Sequence, residues 1–145
     1  MEIRSVAFKQ MQGIPNEYSC QGKNVSPPLT FHDLPEKTQS IALIVEDPDA
    51  PGGTFIHWVA WNWPSSIHAI EAGVAFPDEG INSKGKIGYT GPCPPPGKPH
   101  RYFFKAFALD KLLLLPNNST NKDLVKAMEG HILDQSELVG TYQRS

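Results

Sequence analysis

The stretch Phe55-Ile56-His57-Trp58-Val59-Ala60-Trp61 decides the fold class. Read as a strand, it places alternate side chains on opposite faces, with Phe55, His57, Val59 and Trp61 on one face and Ile56, Trp58 and Ala60 on the other. Both faces are then largely apolar. A strand covered on both sides, in a chain with too few helices to provide the cover, requires a second sheet. We therefore predict a mainly β fold, a β-sandwich with one or two short helices.

The other predicted elements agree with this fold class. The 14 prolines and 12 glycines cluster between short apolar stretches, as expected when irregular connections join strands. The candidate strands are Ile3 to Phe8, Ser40 to Glu46, Phe55 to Trp63, Tyr102 to Ala108 and Glu137 to Gln143. One helix is predicted, because Ser119-Thr120-Asn121 supplies a capping residue and Leu124, Val125 and Met128 follow at helical spacing. The 145 residues, 39% of them hydrophobic, suffice for a single domain over residues 1–145.

Composition and charge exclude several classes of function. With 13 basic and 15 acidic side chains, the net charge of -2 provides no general field to attract nucleic acid, so we predict no nucleic-acid partner. The apolar runs Ile41 to Val45 and Leu112 to Leu115 are far shorter than the roughly 20 residues that span a bilayer, so no integral membrane association is expected. The N-terminus lacks the pattern of a signal peptide. We expect a cytoplasmic protein, in which Cys20 and Cys93 would be free thiols.

A rigid acidic loop, Asp47-Pro48-Asp49-Ala50-Pro51, follows the apolar stretch of residues 41–45. The prolines fix φ, so the carboxylates can be held in place with little conformational entropy left to lose. A polar turn between strands is the alternative interpretation, since Asp and Pro are ordinary turn residues.

A second motif is a proline-rich segment, Gly91-Pro92-Cys93-Pro94-Pro95-Pro96, that leads into His100-Arg101-Tyr102. Alternation in a strand places His100 and Tyr102 on one face and Arg101 on the other. The two side chains can therefore serve one pocket. Alternatively, each is a half-buried polar residue at the end of a strand.

The two motifs together resemble those of the phosphatidylethanolamine-binding proteins, and so does the segment Cys20-Gln21-Gly22-Lys23-Asn24-Val25-Ser26-Pro27-Pro28-Leu29. The resemblance covers most of the chain and is closest to the bacterial and archaeal branch; eukaryotic members include the Raf kinase inhibitor protein. It implies a Greek-key β-sandwich that binds a phosphate-type anion or a phospholipid head group in a cavity. The implied ligand-binding residues are Asp47, Pro51, His57, Pro94, His100 and Tyr102. No cofactor is implied.

The chain departs from the family pattern in two places. Phe55 stands where the family often has Trp, which keeps an aromatic wall but loses the indole donor. The chain also ends at Ser145, soon after its last predicted strand, so we do not expect the C-terminal helix that flanks the pocket in many eukaryotic relatives. Inhibition of kinases is therefore only weakly implied.

The carboxylates are expected to act through other side chains. If Asp47 accepts a ring N–H from His57 or His100, it raises the basicity of that ring and leaves the opposite N–H directed at the ligand. Tyr102 adds an O–H donor. Arg101, on the other face, is expected to pair with Asp49 as structural support that joins the two motifs.

Three alternatives remain open. His57, His100 and Asp47 could form a metal site of an enzyme, although no His-x-x-x-His or Cys-x-x-Cys spacing supports one and we predict no metal. Cys93 could be a nucleophile with His100 as its base. Finally, exposed loops could make the protein a regulator or inhibitor of a protease or kinase, which is compatible with an anion pocket.

Overall fold

The computed structural model describes residues 1–145 and contains nine β-strands, one 3₁₀ turn over Asn16–Tyr18 and one α-helix, α1, over Asn121–Met128. The strands are β1 (Glu2–Arg4), β2 (Gln12–Gly13), β3 (Leu29–His32), β4 (Ser40–Asp47), β5 (Phe55–Pro64), β6 (Ala69–Ile70), β7 (Asp78–Glu79), β8 (His100–Leu109) and β9 (Ile132–Tyr142). The predicted mainly β fold is confirmed. No helix of the chain is long and apolar enough to cross a membrane.

The strands form two sheets. The large sheet has six strands in the order β2-β9-β8-β4-β5-β7, and the small sheet has three in the order β1-β3-β6. All neighbours are antiparallel except β2 and β9, which are parallel. The apolar strand β4 lies in the middle of the large sheet and is buried along almost its whole length, which explains why its sequence shows no polar alternation.

The two faces of the large sheet are covered differently. Side chains from both sheets, including Phe31 of the small sheet and Phe104 of the large one, share the main hydrophobic core. On the other face, Val59 and Trp61 pack with Leu124 and Met128 of α1. The predicted second sheet is therefore present on one face, whereas the helix covers the other.

The helix begins at the predicted capping position. Thr120 is the N-cap, and its hydroxyl accepts a hydrogen bond from the backbone N–H of Asp123. The Asp123 carboxylate accepts the backbone N–H of Thr120 in return. This reciprocal pair satisfies two donors that a helix start otherwise leaves free.

A β-bulge in β5 corrects the predicted alternation. Val45 pairs with Trp58, but Glu46 pairs with Ile56, so His57 is an extra residue that faces no partner on β4. Instead of sharing a face with Val59 and Trp61, the His57 ring lies 5.2 Å from the Tyr102 ring, centroid to centroid. The predicted face of the strand for His57 was wrong, because a bulge shifts the alternation of side chains by one residue.

Candidate functional site

A cavity of about 260 Å³ opens at one end of the large sheet, where β4 ends and β5 and β8 begin. Because these neighbours are antiparallel, the last residue of β4 meets the first residues of the other two strands. The cavity wall contains all six side chains that the resemblance assigns to ligand binding, Asp47, Pro51, His57, Pro94, His100 and Tyr102. The structure thus brings these residues together, and their role in binding stays a prediction.

Asp47 is a buried carboxylate with both oxygens engaged. Its Oδ2 lies 2.7 Å from Nδ1 of His100, and its Oδ1 accepts the backbone N–H of Asp49 at 2.8 Å. Of the two histidines considered for the contact with Asp47, the structure selects His100. Since an ionised carboxylate only accepts, Nδ1 of His100 carries the hydrogen and Nε2 is its free ring nitrogen.

His57 is held by a backbone carbonyl instead of a carboxylate. Its Nδ1 lies 2.7 Å from the carbonyl oxygen of Thr90, which can only accept, so Nδ1 donates. The ring is buried, and this burial lowers the pKa of His57 more strongly than the Thr90 carbonyl and the Asp47 charge raise it. Nε2 makes no hydrogen bond within the protein.

Tyr102 lines the cavity and carries a buried hydroxyl. The hydroxyl is buried and has no hydrogen-bond partner in the protein. Its burial, followed by the nearby charge of Asp47, raises the pKa of Tyr102, so the group is a neutral O–H donor. A buried donor without a partner costs about 1–3 kcal/mol, which a bound ligand or water would offset.

Arg101 and Asp49 form the expected contact outside the cavity. Asp49 accepts the backbone N–H of Arg101 at 2.9 Å and the guanidinium at 3.0 Å from Nε and 2.9 Å from Nη2. The guanidinium hydrogen bond is the main cause that lowers the pKa of Asp49 to about 2. This pair fastens the acidic loop to the start of β8 and so helps to fix the position of Asp47.

The proline-rich segment is joined to the N-terminal part of the chain by a disulfide. Cys20 and Cys93 are bonded, with their Cα atoms 5.4 Å apart, and the backbone N–H of Cys20 donates to the carbonyl of Pro92 at 3.1 Å. The expectation of two free thiols was therefore wrong: spacing along the sequence carries no information on whether two loops meet in space. Because Cys93 lies on the cavity wall, the disulfide fixes part of the site.

A close approach at Gly91 holds the same segment in place. A side chain at Gly91 would put its Cβ 2.2 Å from the carbonyl oxygen of Tyr18, so only glycine fits. Its backbone N–H donates to the Asn24 side chain at 2.7 Å. This contact explains why Gly91 and Asn24 both occur in the motifs that carry the resemblance.

Lys84 is a cavity residue that sequence analysis did not identify. It is exposed, forms no ion pair and lies in a loop organised by Asn82, whose Oδ1 accepts the backbone N–H of Lys84 at 2.9 Å. The loop is attached to β5, since the N–H of Ser83 donates to the Ile56 carbonyl at 2.8 Å. A single lysine in a polar loop gives no signal of its own, because only the folded chain shows that this loop borders the cavity.

Two observations concern the enzyme alternatives, which are a metal site at the two histidines and a nucleophilic Cys93. The Nδ1 atoms of His57 and His100 are engaged by Thr90 and Asp47, and the chain contains no group of three or more His, Cys, Asp and Glu side chains that could hold a metal ion. The sulfur of Cys93 is bonded to Cys20, so it carries no thiolate in this state.

Comparison with known proteins identifies relatives over the whole chain. The family model described as phosphatidylethanolamine-binding protein matches residues 4–143. A UPF0098 protein of Chlamydia muridarum is 47% identical over 150 residues, which cover 99% of this chain and 99% of the relative. A UPF0098 protein of Methanothermobacter thermautotrophicus is 42% identical over 151 residues, with the same coverage of 99% on both sides.

Solved structures share the fold as well. A phosphatidylethanolamine-binding protein homologue from Chlamydia trachomatis superposes with a TM-score of 0.95 at 42% identity, covering 99% of this chain and 97% of the other. YbcL of Escherichia coli, described as a member of the mammalian family, superposes with a TM-score of 0.90 at 30% identity, covering 99% and 98%. The two-sheet architecture is therefore that of a family with experimentally determined members.

Proposed function

The chain belongs to the phosphatidylethanolamine-binding protein family, and from this premise we propose that its cavity binds a phosphate-type anion, either free phosphate or a phosphate-bearing head group. The observation that carries the proposal is the hydroxyl of Tyr102, a buried donor without a partner at a cavity wall. Buried polar groups are nearly always hydrogen-bonded in proteins, so one left free beside a cavity favours a polar ligand there.

Charge supports an anion rather than a cation as the ligand. The buried carboxylate of Asp47 is already engaged by His100 and by the backbone of Asp49, which leaves it little capacity to hold a cation. Lys84 supplies a positive charge without an ion-pair partner at the wall. An anion in the cavity would thus meet the ammonium of Lys84 and the O–H of Tyr102.

Size and lining leave room for more than a bare phosphate group. A cavity of about 260 Å³ is close to the lower end of small-molecule pockets, roughly 300 Å³. The rings of Phe55, Pro51 and Pro94 give it apolar walls beside the polar groups. A phosphate group bound near Tyr102 could therefore carry a small organic substituent.

Calorimetry with sodium phosphate and with phosphoethanolamine tests the proposal. We expect weak, saturable binding at millimolar concentration, accompanied by a rise in melting temperature. A Tyr102→Phe variant should bind more weakly, because it lacks the donor but keeps the ring. If neither compound binds while zinc does, a metal-dependent function should replace the proposed one.

We propose a binding role rather than a catalytic one, because the family is named for binding and Cys93 is engaged in a disulfide. Regulation of a protease or kinase stays a prediction, since it would depend on exposed loops rather than on the cavity. A cytoplasmic location also stays a prediction. The disulfide between Cys20 and Cys93 argues against a cytoplasmic location, because in the cytosol such bonds are usually transient or redox-sensing.

A further inference from the structure

We infer that the cavity selects oxyanions that keep a proton, namely hydrogen phosphate or a protonated phosphomonoester, over tetrahedral oxyanions without one, such as sulfate, which has the same charge as hydrogen phosphate. The inference rests on the proposed function and goes beyond it by naming the protonation state of the ligand. It depends on the way in which His57 is held.

The hydrogen bond to Thr90 fixes the tautomer of His57. A carbonyl oxygen has no hydrogen to donate, so at a distance of 2.7 Å Nδ1 must carry the proton. In the neutral ring, Nε2 then has only a lone pair. Toward a ligand, neutral His57 is therefore a hydrogen-bond acceptor, opposite to the donor role expected from the sequence.

The surroundings of His57 keep the ring neutral near pH 7. The residue is only 5% exposed, and the resulting loss of solvation disfavours the charged ring. Four titratable groups face it: Asp47 from β4, His100 and Tyr102 from β8, and Lys84 from the loop after β7. Asp47 attracts a proton to His57, but burial outweighs that attraction, and Lys84 acts in the same direction as burial.

The cavity thus presents a donor and an acceptor side by side. The Tyr102 hydroxyl donates, His57 Nε2 accepts, and the two rings are 5.2 Å apart, centroid to centroid. Hydrogen phosphate can satisfy both, with an anionic oxygen toward Tyr102 and its P–OH toward Nε2. Sulfate can satisfy only Tyr102, because it would place an oxygen lone pair against the lone pair of Nε2.

Sites built around a ligand hydrogen reject analogues that lack it, by factors that reach about 10⁴ where the site is fully buried. This cavity is open to solvent on one side, so a smaller factor is expected here. Inorganic phosphate keeps a P–OH at neutral pH, since its third proton leaves only in strongly alkaline solution. A phosphomonoester keeps one only below its second pKa, about 6.

The experiment is calorimetric titration of the full chain with sodium phosphate and sodium sulfate at constant ionic strength. At about pH 7.5 we expect phosphate to bind at least roughly 10-fold more tightly than sulfate. Because burial lowers the pKa of His57, the ring becomes protonated only at a pH below the usual imidazole range; Nε2 then becomes a donor, so the affinity for sulfate should rise and the selectivity should shrink. Equal affinities at about pH 7.5 would overturn the inference while leaving the proposed anion pocket in place. Binding of neither ion would instead count against the proposed function.

Two further ligands test the role of the proton in the unaltered protein. Dimethyl phosphate, a diester without a P–OH, should bind no better than sulfate. Glycerol phosphate should lose affinity relative to inorganic phosphate as the pH rises through about 6, because its proton leaves in that range. A diester that binds as tightly as phosphate would contradict the inference.

A substitution locates the selectivity at one atom. In His57→Gln the side-chain amide offers both a donor and an acceptor, so the ratio of phosphate to sulfate affinity should fall toward one. His68→Gln is the matched control, because His68 is exposed and lies away from the cavity. If His57→Gln retains the full selectivity, another group is responsible and the inference fails.

Discussion

The imidazole of His100 and the carboxylate of Asp47 form a largely buried pair, 2.7 Å apart, that joins the end of β4 to the start of β8. Asp47 is 4% exposed and His100 is 12% exposed, so water screens the pair poorly. Since Asp47 also receives the backbone N–H of Asp49, one carboxylate orients both a cavity histidine and the acidic loop. A positioning role therefore accounts for a negative charge near the proposed anion site.

Asp47→Asn should weaken phosphate binding, even though it removes a negative charge from the site. The amide is a poorer acceptor than the carboxylate, and it would hold His100 in its orientation less firmly. Loss of such an orienting group typically costs roughly 10- to 100-fold in affinity at metal sites, and we expect an effect near the lower limit here. Calorimetric titration with phosphate measures it.

Asp110→Asn is the matched control for this experiment. Asp110 also contacts a histidine, His131, at 2.9 Å, but this pair is exposed and distant from the cavity. Its loss should leave phosphate affinity unchanged. Tighter phosphate binding by Asp47→Asn would show that charge repulsion outweighs orientation.

The contact between Asp49 and Arg101 should make stability depend on pH in acid. Because the native state lowers the pKa of Asp49 to about 2, the unfolded chain binds a proton there first as the pH falls. The stabilisation is therefore fully present above about pH 4 and is lost as the pH falls toward 2. Since Arg101 is half exposed, we expect the pair to contribute no more than about 1 kcal/mol to the free energy of unfolding.

Thermal denaturation of the wild type and Asp49→Asn at several pH values checks this expectation. The variant should melt at a lower temperature above about pH 4, and the two curves should converge near pH 2. Glu36→Gln serves as the control, because Glu36 is exposed and makes no ion pair. If the melting temperatures of wild type and Asp49→Asn still differ by the same amount at about pH 2, the stabilisation does not depend on the charge of Asp49.

The sequence predicts the fold class well, because an apolar run such as the one in β4 must be buried whatever its position in the fold. It also predicts the three strands that border the cavity, β4, β5 and β8, from their apolar runs, and a capping residue at the start of α1 from local sequence. Short strands such as Leu29–His32 were missed, since their pairing depends on partners far along the chain. The predicted strand from Ile3 to Phe8 ends early, at Arg4.

In the candidate site, too, features set by local sequence were predicted and features set by distant residues were not. Motifs identify Asp47 and His100, but the acceptor for His57, the carbonyl of Thr90, is a backbone atom that no side-chain pattern reveals. The bulge at His57 also leaves no mark in the sequence, because an apolar strand with both faces buried has no alternation to interrupt. The resemblance to the family assigned His57 to the cavity, but it revealed neither the acceptor nor the bulge.

Removal of the disulfide should reduce both stability and ligand affinity. The bond closes a long loop between residues 73 positions apart, and native disulfides typically contribute about 2–4 kcal/mol. The double variant Cys20→Ser, Cys93→Ser should therefore melt at a lower temperature. It should also bind phosphate more weakly, because Cys93 and Pro94 form part of the cavity wall.

Reduction of the wild-type protein gives an independent test of the same bond. Both cysteines are exposed, so dithiothreitol should reproduce the melting temperature of the double variant and have no effect on that variant itself. Thiol titration of the denatured, unreduced protein should find no free thiol. Two free thiols in freshly purified protein, with no response to reductant, would contradict a role for the bond in stability.

Lys84 should contribute to anion affinity through charge and not through shape. Its ammonium is exposed at the cavity wall and forms no ion pair, so it attracts an anion without a fixed contact. We expect Lys84→Ala to weaken phosphate binding by roughly 2- to 5-fold at low salt, the size typical of exposed charge pairs. The difference in affinity between wild type and Lys84→Ala should shrink at about 0.5 M salt, where screening limits interactions between charges to a few ångströms.

Lys86→Ala is a closely matched control for the effect of Lys84. Lys86 lies two positions later in the same loop and is also exposed, and the Asn82 side chain receives its backbone N–H as well, but Lys86 does not line the cavity. Because both variants lose one positive charge, an effect of net charge alone would appear equally in both. A selective loss in Lys84→Ala, abolished by salt, would assign the effect to the charge at the cavity wall, whereas equal losses would show that Lys84 has no local role.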